Sequence, residues 1–157
     1  MQCTIFAFLL LSILGLVQAT PVTRKSKTPY FFLIGDSTVA VDGGWGNGLL
    51  AYLRDPAKGE NLAVSGTTTD TWKSNGRWKS LIKSVEAASE DYEPIVTIQF
   101  GHNDQKVMEV DIFQTKLESI VADIKKAGGT PVRNSSSGMI QPFFSCPLTY
   151  ARSLSRR

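Results

Sequence analysis

A chain of 157 residues with 42% hydrophobic and 20% charged side chains has the balance of one globular domain, which excludes a disordered protein, and it contains no internal repeat. Its net charge of +3 owes everything to Arg133, Arg152, Arg156 and Arg157; without them 13 Lys and Arg face 14 Asp and Glu with no patch, so a nucleic-acid footprint is excluded. One histidine, His102, and no Cys/His/Asp group at ligand spacing argue against a zinc site, and no metal or cofactor is implied.

The apolar run from Ile5 to Val17 is short for a bilayer and leads into Val17-Gln18-Ala19, which satisfies the small-residue rule for signal peptidase. Residues 1–19 therefore read as a secretory signal, and the expected location is extracellular, with no membrane attachment after cleavage. Cys3 lies inside this segment, which leaves Cys146 alone and no internal disulfide. Residues 20–29, polar with prolines near both ends, read as an exposed leader. Tyr30 to Ile34 is a continuous apolar run ending at Gly35, the pattern of a buried parallel strand. Leu49, Leu50, Tyr52 and Leu53 suit a short helix after a glycine-rich loop, and Asn61 to Val64 suits a second strand.

Trp78, Leu81, Ile82 and Val85 recur at helical spacing between Arg77 and Ala88, and Pro94 marks a break before the β-branched strand Ile95 to Phe100. From Asp111 to Ala127 a helix places Ile112, Phe113, Leu117, Ile120, Val121 and Ile124 on one face, with Gly128-Gly129 as its stop. Strands alternating with helices imply an α/β domain with a parallel sheet, whose ligand site lies at the carboxyl ends of the strands. After Thr130-Pro131-Val132 a fourth strand should begin, but residues 133–157 show neither strand nor helix period. They read as an unstructured tail, whose abrupt composition suits a retained intron or shifted frame as well as an authentic end. The strand Ile95 to Phe100 is then expected as an exposed edge, prone to aggregation.

Three loops at the strand ends carry chemistry. Gly35-Asp36-Ser37-Thr38 places a serine at a strand-to-helix turn, where a nucleophile is held outward, although Asp36 or Ser37 as a plain helix cap explains that tetrapeptide by itself. Asn61 to Gly66 and Phe100-Gly101-His102-Asn103-Asp104 end the next two strands. A glycine there lets a backbone N–H approach a ligand, and an asparagine amide donates to a developing oxyanion. Taken singly, Gly66 suits a turn and Asn103 a cap.

In order along the chain, GDSTVA, GGWGNGL, NLAVSG and QFGHNDQK resemble the four blocks of the SGNH (GDSL-like) hydrolases, closest to the rhamnogalacturonan acetylesterase branch, over about residues 30–132. The resemblance implies a three-layer α/β/α sandwich with a flavodoxin-like parallel sheet. It implies Ser37 as nucleophile, with its own N–H, the Gly66 N–H and the Asn103 amide as the oxyanion hole. Asp36 and Asp104 would orient the surrounding loops, and His102 would be a supporting residue and not the base. The base of the family is a histidine in a downstream Asp-x-x-His motif, and neither that histidine nor its aspartate occurs in these 157 residues. The chain is therefore expected to be a partial domain, truncated after about the third strand. Thr67 departs from the arginine that the acetylesterase branch carries after the block-two glycine.

The implied activity is hydrolysis of a carboxylic ester, acetylated plant cell-wall polysaccharide such as rhamnogalacturonan or a small ester, by a monomer. Loss of one triad member leaves only about 10³–10⁴-fold catalysis over water, so the chain is expected to be nearly inert. Two other classes remain in view. Gly46-Asn47-Gly48-Leu49-Leu50-Ala51 matches the dinucleotide-binding pattern G-x-G-x-x-A, though after the wrong kind of loop, and a carbohydrate-binding decoy or pseudogene product would keep the cleft without the base. Trp45, Trp72 and Trp78 suit either a sugar cleft or the core, with Trp45 nearest to Ser37 in the chain. Asn134-Ser135-Ser136 is a formal glycosylation sequon.

Overall fold

The computed structural model describes residues 26–74 and 76–134; the expected signal segment, most of the leader and nearly all of the expected tail lie outside these residues. Four parallel strands form one sheet in the order β2-β1-β3-β4, with β1 at Thr28–Gly35, β2 at Lys58–Asn61, β3 at Tyr92–Gln99 and β4 at Thr130–Arg133. The helices are α1 at Gly46–Tyr52, α2 at Thr69–Lys73, α3 at Arg77–Asp91 and α4 at Val110–Lys126, with a 3-10 turn at Asp104–Lys106. This is the expected α/β class, with strand order 2-1-3-4 for the strands described.

Alternation along β1 and β3 divides the core. Phe32 and Ile34, in register with Val96 and Ile98, pack with Leu81 and Val85 of α3, Trp72 of α2, and Phe113, Leu117, Ile120 and Ile124 of α4. Leu33 faces the other way, into a smaller cluster with Val39, Ala40 and Ala63 that Leu49 and Leu50 of α1 partly cover. Each fully buried Leu, Ile or Phe contributes about 1.5–3 kcal/mol relative to exposure, so the larger cluster dominates the packing. α4 ends in a Schellman motif, with Gly129 N–H donating to Ile124 O (2.9 Å) and Gly128 N–H to Lys125 O (3.0 Å).

Several elements differ from the sequence expectation. β1 begins at Thr28 and takes Pro29 from the leader, and β3 begins at Tyr92, so Pro94 lies inside the strand. Pairing of β3 with β4 starts only at Ile95, which leaves Pro94 a side where its missing N–H breaks no ladder bond. The expected second strand slides to Lys58–Asn61, but its continuation stays bonded to β1 through Leu62 N–H to Leu33 O (2.8 Å) and Val64 N–H to Gly35 O (3.0 Å). Ile112 is 47% exposed, because the buried stripe of α4 runs through Phe113, Leu117, Ile120 and Ile124 and position 112 falls beside it.

The far side of β3 differs most from the sequence expectation of an exposed edge. β4 pairs with it from Ile95↔Thr130 to Ile98↔Arg133, and Asn134 N–H continues the ladder to Ile98 O (3.0 Å). The fourth strand is present, β3 is interior, and Arg133 belongs to the sheet and not to a tail.

Candidate active site

β1 delivers Gly35 against the end of β3, where a Cβ on residue 35 would stand 2.5 Å from Gln99 O and 2.7 Å from Val39 Cγ2; only glycine fits. Asp36 N–H donates to Gln99 O (3.3 Å), and the chain then turns sharply, Asp36 O accepting from Val39 N–H (3.1 Å) and Ala40 N–H (3.0 Å). The fully buried Asp36 carboxylate closes an Asx-type turn, its Oδ1 accepting from Thr38 N–H (2.9 Å) and Thr38 Oγ1 (2.8 Å) while Oδ2 has no hydrogen-bond partner. Ser37 sits half-buried at the apex, between two residues that this network fixes.

The chain leaving β2 passes beside that turn. Gly35 O accepts from Val64 N–H (3.0 Å), and Thr67 Oγ1 donates its one proton to Val64 O (2.7 Å), with Gly35 O a secondary acceptor at 3.5 Å. Between them Gly66 adopts φ +78°, a left-handed conformation that an L side chain enters at a cost of about 1–2 kcal/mol. Thr68 then caps α2 through a reciprocal pair with Thr71: Thr71 N–H donates to Thr68 Oγ1 (3.2 Å) and Thr68 N–H to Thr71 Oγ1 (2.8 Å).

The loop after β3 closes on the same segment. Asn103 Nδ2 donates to Thr67 O (3.0 Å), and Lys106 Nζ donates to Asn103 Oδ1 (3.3 Å), so the amide is held at both ends. Asp104, fully buried, accepts at Oδ1 from Thr69 N–H (2.8 Å) and Thr69 Oγ1 (2.6 Å), and at Oδ2 from Gly101 N–H (3.2 Å). The loops bearing Ser37, Gly66 and Asn103 are thus laced together at the carboxyl end of β1 and β3. Among the described residues, neither the Ser37 N–H nor the Gly66 N–H has an acceptor, and Asn103 Nδ2 has a second hydrogen beyond the one given to Thr67.

The remaining candidates separate. His102 is exposed, and among the described residues its hydrogen bond is made by its backbone carbonyl, which accepts from Gln105 Nε2 (3.1 Å). Trp72 is core, 1% exposed, its Nε1 donating to Leu62 O (3.0 Å), and Trp78 stacks edge-on to it beneath Lys73 Nζ, 4.3 Å from the ring centroid. Trp45 is half-buried and donates from Nε1 to Gln99 Oε1 (2.6 Å), beside the end of β3. The glycines of the G-x-G-x-x-A match lie within α1 and not in the turn directly after β1, and Gly46 is needed for packing, since a Cβ there would lie 2.4 Å from Val39 O. That context removes the dinucleotide reading. Among the described residues no three His, Cys, Asp or Glu gather as metal ligands, and no helix is long and apolar enough to cross a membrane.

The sequence marks Thr67 only as a departure from an expected arginine and does not mark Thr69, yet the two join the three loops; the signal was the run Thr67-Thr68-Thr69, whose hydroxyls are available to bond locally.

The parallel α/β sheet thus gathers a serine turn, a left-handed glycine and an anchored asparagine at one carboxyl edge. Residues 31–151 match the family of GDSL-like lipases/acylhydrolases, and the chain belongs to that family. The matched span includes all three loops and runs on past Val132, the expected end of the domain. A search of curated proteins finds no match to the chain.

Proposed function

We propose that this chain carries the nucleophile and oxyanion hole of a secreted serine esterase that removes acetyl groups from plant cell-wall polysaccharide such as rhamnogalacturonan. Ser37 Oγ attacks the acetyl carbonyl carbon, and the oxyanion that forms is received by the N–H groups of Ser37 and Gly66 and by Asn103 Nδ2. The Ser37 proton would pass to the histidine of an Asp-x-x-His segment and from it to the departing sugar oxygen as the ester C–O bond breaks, leaving an acetyl-serine; water, giving its proton to the same base, would then release acetate and restore the Ser37 hydroxyl. The observation that carries this reading is the pair of N–H groups at Ser37 and Gly66 that have no acceptor among the described residues, beside an asparagine amide held by Thr67 and Lys106. Donors held in place before the reaction stabilise charge without reorganising, and each contributes about 10²–10³ in kcat.

Asp36 and Asp104 hold the two flanking loops and transfer no proton. Within residues 1–157 no Asp-x-x-His motif supplies a base, and His102 points to solvent without a carboxylate partner among the described residues. The 157-residue chain by itself is therefore expected to hydrolyse p-nitrophenyl acetate no faster than its Ser37→Ala variant. A longer form that carries an Asp-x-x-His segment is expected to release acetate from acetylated rhamnogalacturonan, with Ser37→Ala abolishing turnover and Asn103→Ala lowering kcat about 10²–10³-fold. Ser37-dependent turnover by the 157-residue chain would show that another base is present. A longer form that cleaves only long-chain lipid esters would overturn the substrate class.

A further inference from the structure

A cleft of about 390 Å³ opens between the edge strand β2 and helix α3, away from the Ser37 turn. Arg77, Ser80, Leu81 and Ser84 reach it from one face of α3, as their i, i+3, i+4 and i+7 spacing requires. Glu60 and Leu62 reach it from β2 and its continuation, Glu60 being in register with Phe32 and so on the face of the sheet that α3 covers. Trp72 forms the shared wall, its indole bonded to Leu62 O only a few residues before Gly66.

The charges of this cleft are unspent. Arg77 and Glu60 are both half-buried, yet the described ion pairs are Lys73–Asp123 and Lys116–Asp70, and no side-chain hydrogen bond of Arg77 or Glu60 exists among the described residues. Glu60 is close enough to add to the burial that raises the Tyr30 pKa. A guanidinium with five donors in a planar fork matches a carboxylate. A glutamate acceptor with two serine hydroxyls on the opposite helix matches alcohols, and Leu62 and Leu81 supply an apolar floor.

We propose that this cleft is a second, non-catalytic binding site for a sugar acid, with the ligand carboxylate on Arg77 and its hydroxyls on Glu60, Ser80 and Ser84. A neutral sugar leaves the guanidinium unpaired, and a ligand with two negative charges sets the second against Glu60, so a polyhydroxylated monoanion fits best. The volume lies at the lower end of the usual ligand range of about 300–1,000 Å³, which suits one or two sugar rings. The inference rests on the cleft and goes beyond the Ser37 reading: a site here would hold an acidic polysaccharide without touching the ester.

The test is a titration of the purified full chain with D-galacturonate and, separately, D-galactose, read by calorimetry and by amide shifts. Saturable galacturonate binding is expected, with a Kd of about 1 mM or tighter, shifts centred on Leu62, Arg77 and Ser80, and galactose at least about tenfold weaker. Arg77→Gln is expected to abolish it, and Ser84→Phe, which fills the cleft from an exposed helix position, to do the same with an unchanged melt. Equal affinity for galactose, indifference to both variants, absence of saturable binding, or shifts confined to the Ser37 and Asn103 loops would each overturn the proposal. Because no ester is involved, this outcome is independent of whether Ser37 is a nucleophile.

Discussion

Asp104→Ala tests the central claim that the loops around Ser37 are held by buried hydrogen bonds. The carboxylate has no solvent exposure and accepts three bonds, two from Thr69 at 2.8 and 2.6 Å and one from Gly101 N–H at 3.2 Å. A hydrogen bond to a charged group contributes about 1.5–3 kcal/mol net, and an orphaned buried donor costs about 1–3 kcal/mol. Water entering the space left by the side chain recovers part of this, so a loss of about 3–5 kcal/mol is expected, a large share of the roughly 5–15 kcal/mol that holds a domain together. For a domain of about 100 residues each kcal/mol moves Tm by about 4–8 °C, so the melt should fall by at least about 12 °C. Hydrogen exchange should show the Thr69 and Gly101 amides losing protection well beyond the rest of the core. A Tm within about 4 °C of the parent, the equivalent of less than 1 kcal/mol, would refute the reasoning. So would unchanged protection at those two amides.

Trp45→Phe removes the 2.6 Å bond to Gln99 and is expected to cost about 1 kcal/mol; a double-mutant cycle with Gln99→Leu, read by urea melts, should return most of that as coupling energy. Gly66→Ala meets no atom within 4 Å, so its whole cost is the φ of +78°, about 1–2 kcal/mol in the same melts, and a neutral result would show that the loop does not need the left-handed turn. Burial first, then the Glu60 charge, raises the Tyr30 pKa above the ordinary tyrosine value of about 10. The folded state therefore holds the phenol proton longer than the unfolded chain, and stability falls as pH rises from about 10 through the folded pKa. Tyr30→Phe should lessen that alkaline loss, and parallel pH–stability curves for the two proteins would contradict it.

What could be read from the sequence followed the apolar pattern. β1 stands out because Tyr30 to Ile34 is a continuous apolar run, as a strand covered on both faces must be, and β3 because Ile95 to Ile98 is β-branched at every position. β2 is Lys-Gly-Glu-Asn, a polar edge strand held by backbone pairing, so its apolar continuation at Leu62 to Val64 draws the eye instead. β4 is four residues with a proline and an arginine, too short for any period to show. α2 hides in a threonine run whose capping box uses Thr71 where a glutamate would normally announce it. The loops of Ser37 and Asn103 could be placed because each follows a strand that was itself legible, and that of Gly66 because it follows the apolar continuation of β2. The bonding role of Thr67 was not legible, since it works through its backbone carbonyl and a local hydroxyl bond, neither of which leaves a mark on residue type.

The sheet edges bear on what the chain can tolerate. With β4 in place, the apolar strand β3 is paired on both sides, and the exposed edges among the described residues are β2 and β4. β2 carries Lys58 and Glu60, and β4 carries Pro131 and Arg133 within four residues; charge, proline and short length are the devices by which edges resist pairing with another chain. The aggregation expected from an unpaired Ile95–Phe100 therefore has no structural basis in this arrangement. The same pairing matters for the site. Asp36 N–H hangs from Gln99 O, Thr67 is tied to Gly35 O and to Asn103, and every one of these bonds lies between Gly35 and Lys106. The proposed oxyanion donors are thus positioned by the first three strands and their loops, without help from any downstream base. On that reading, supplying a base would change the protonation of Ser37 and leave the donor geometry as it stands.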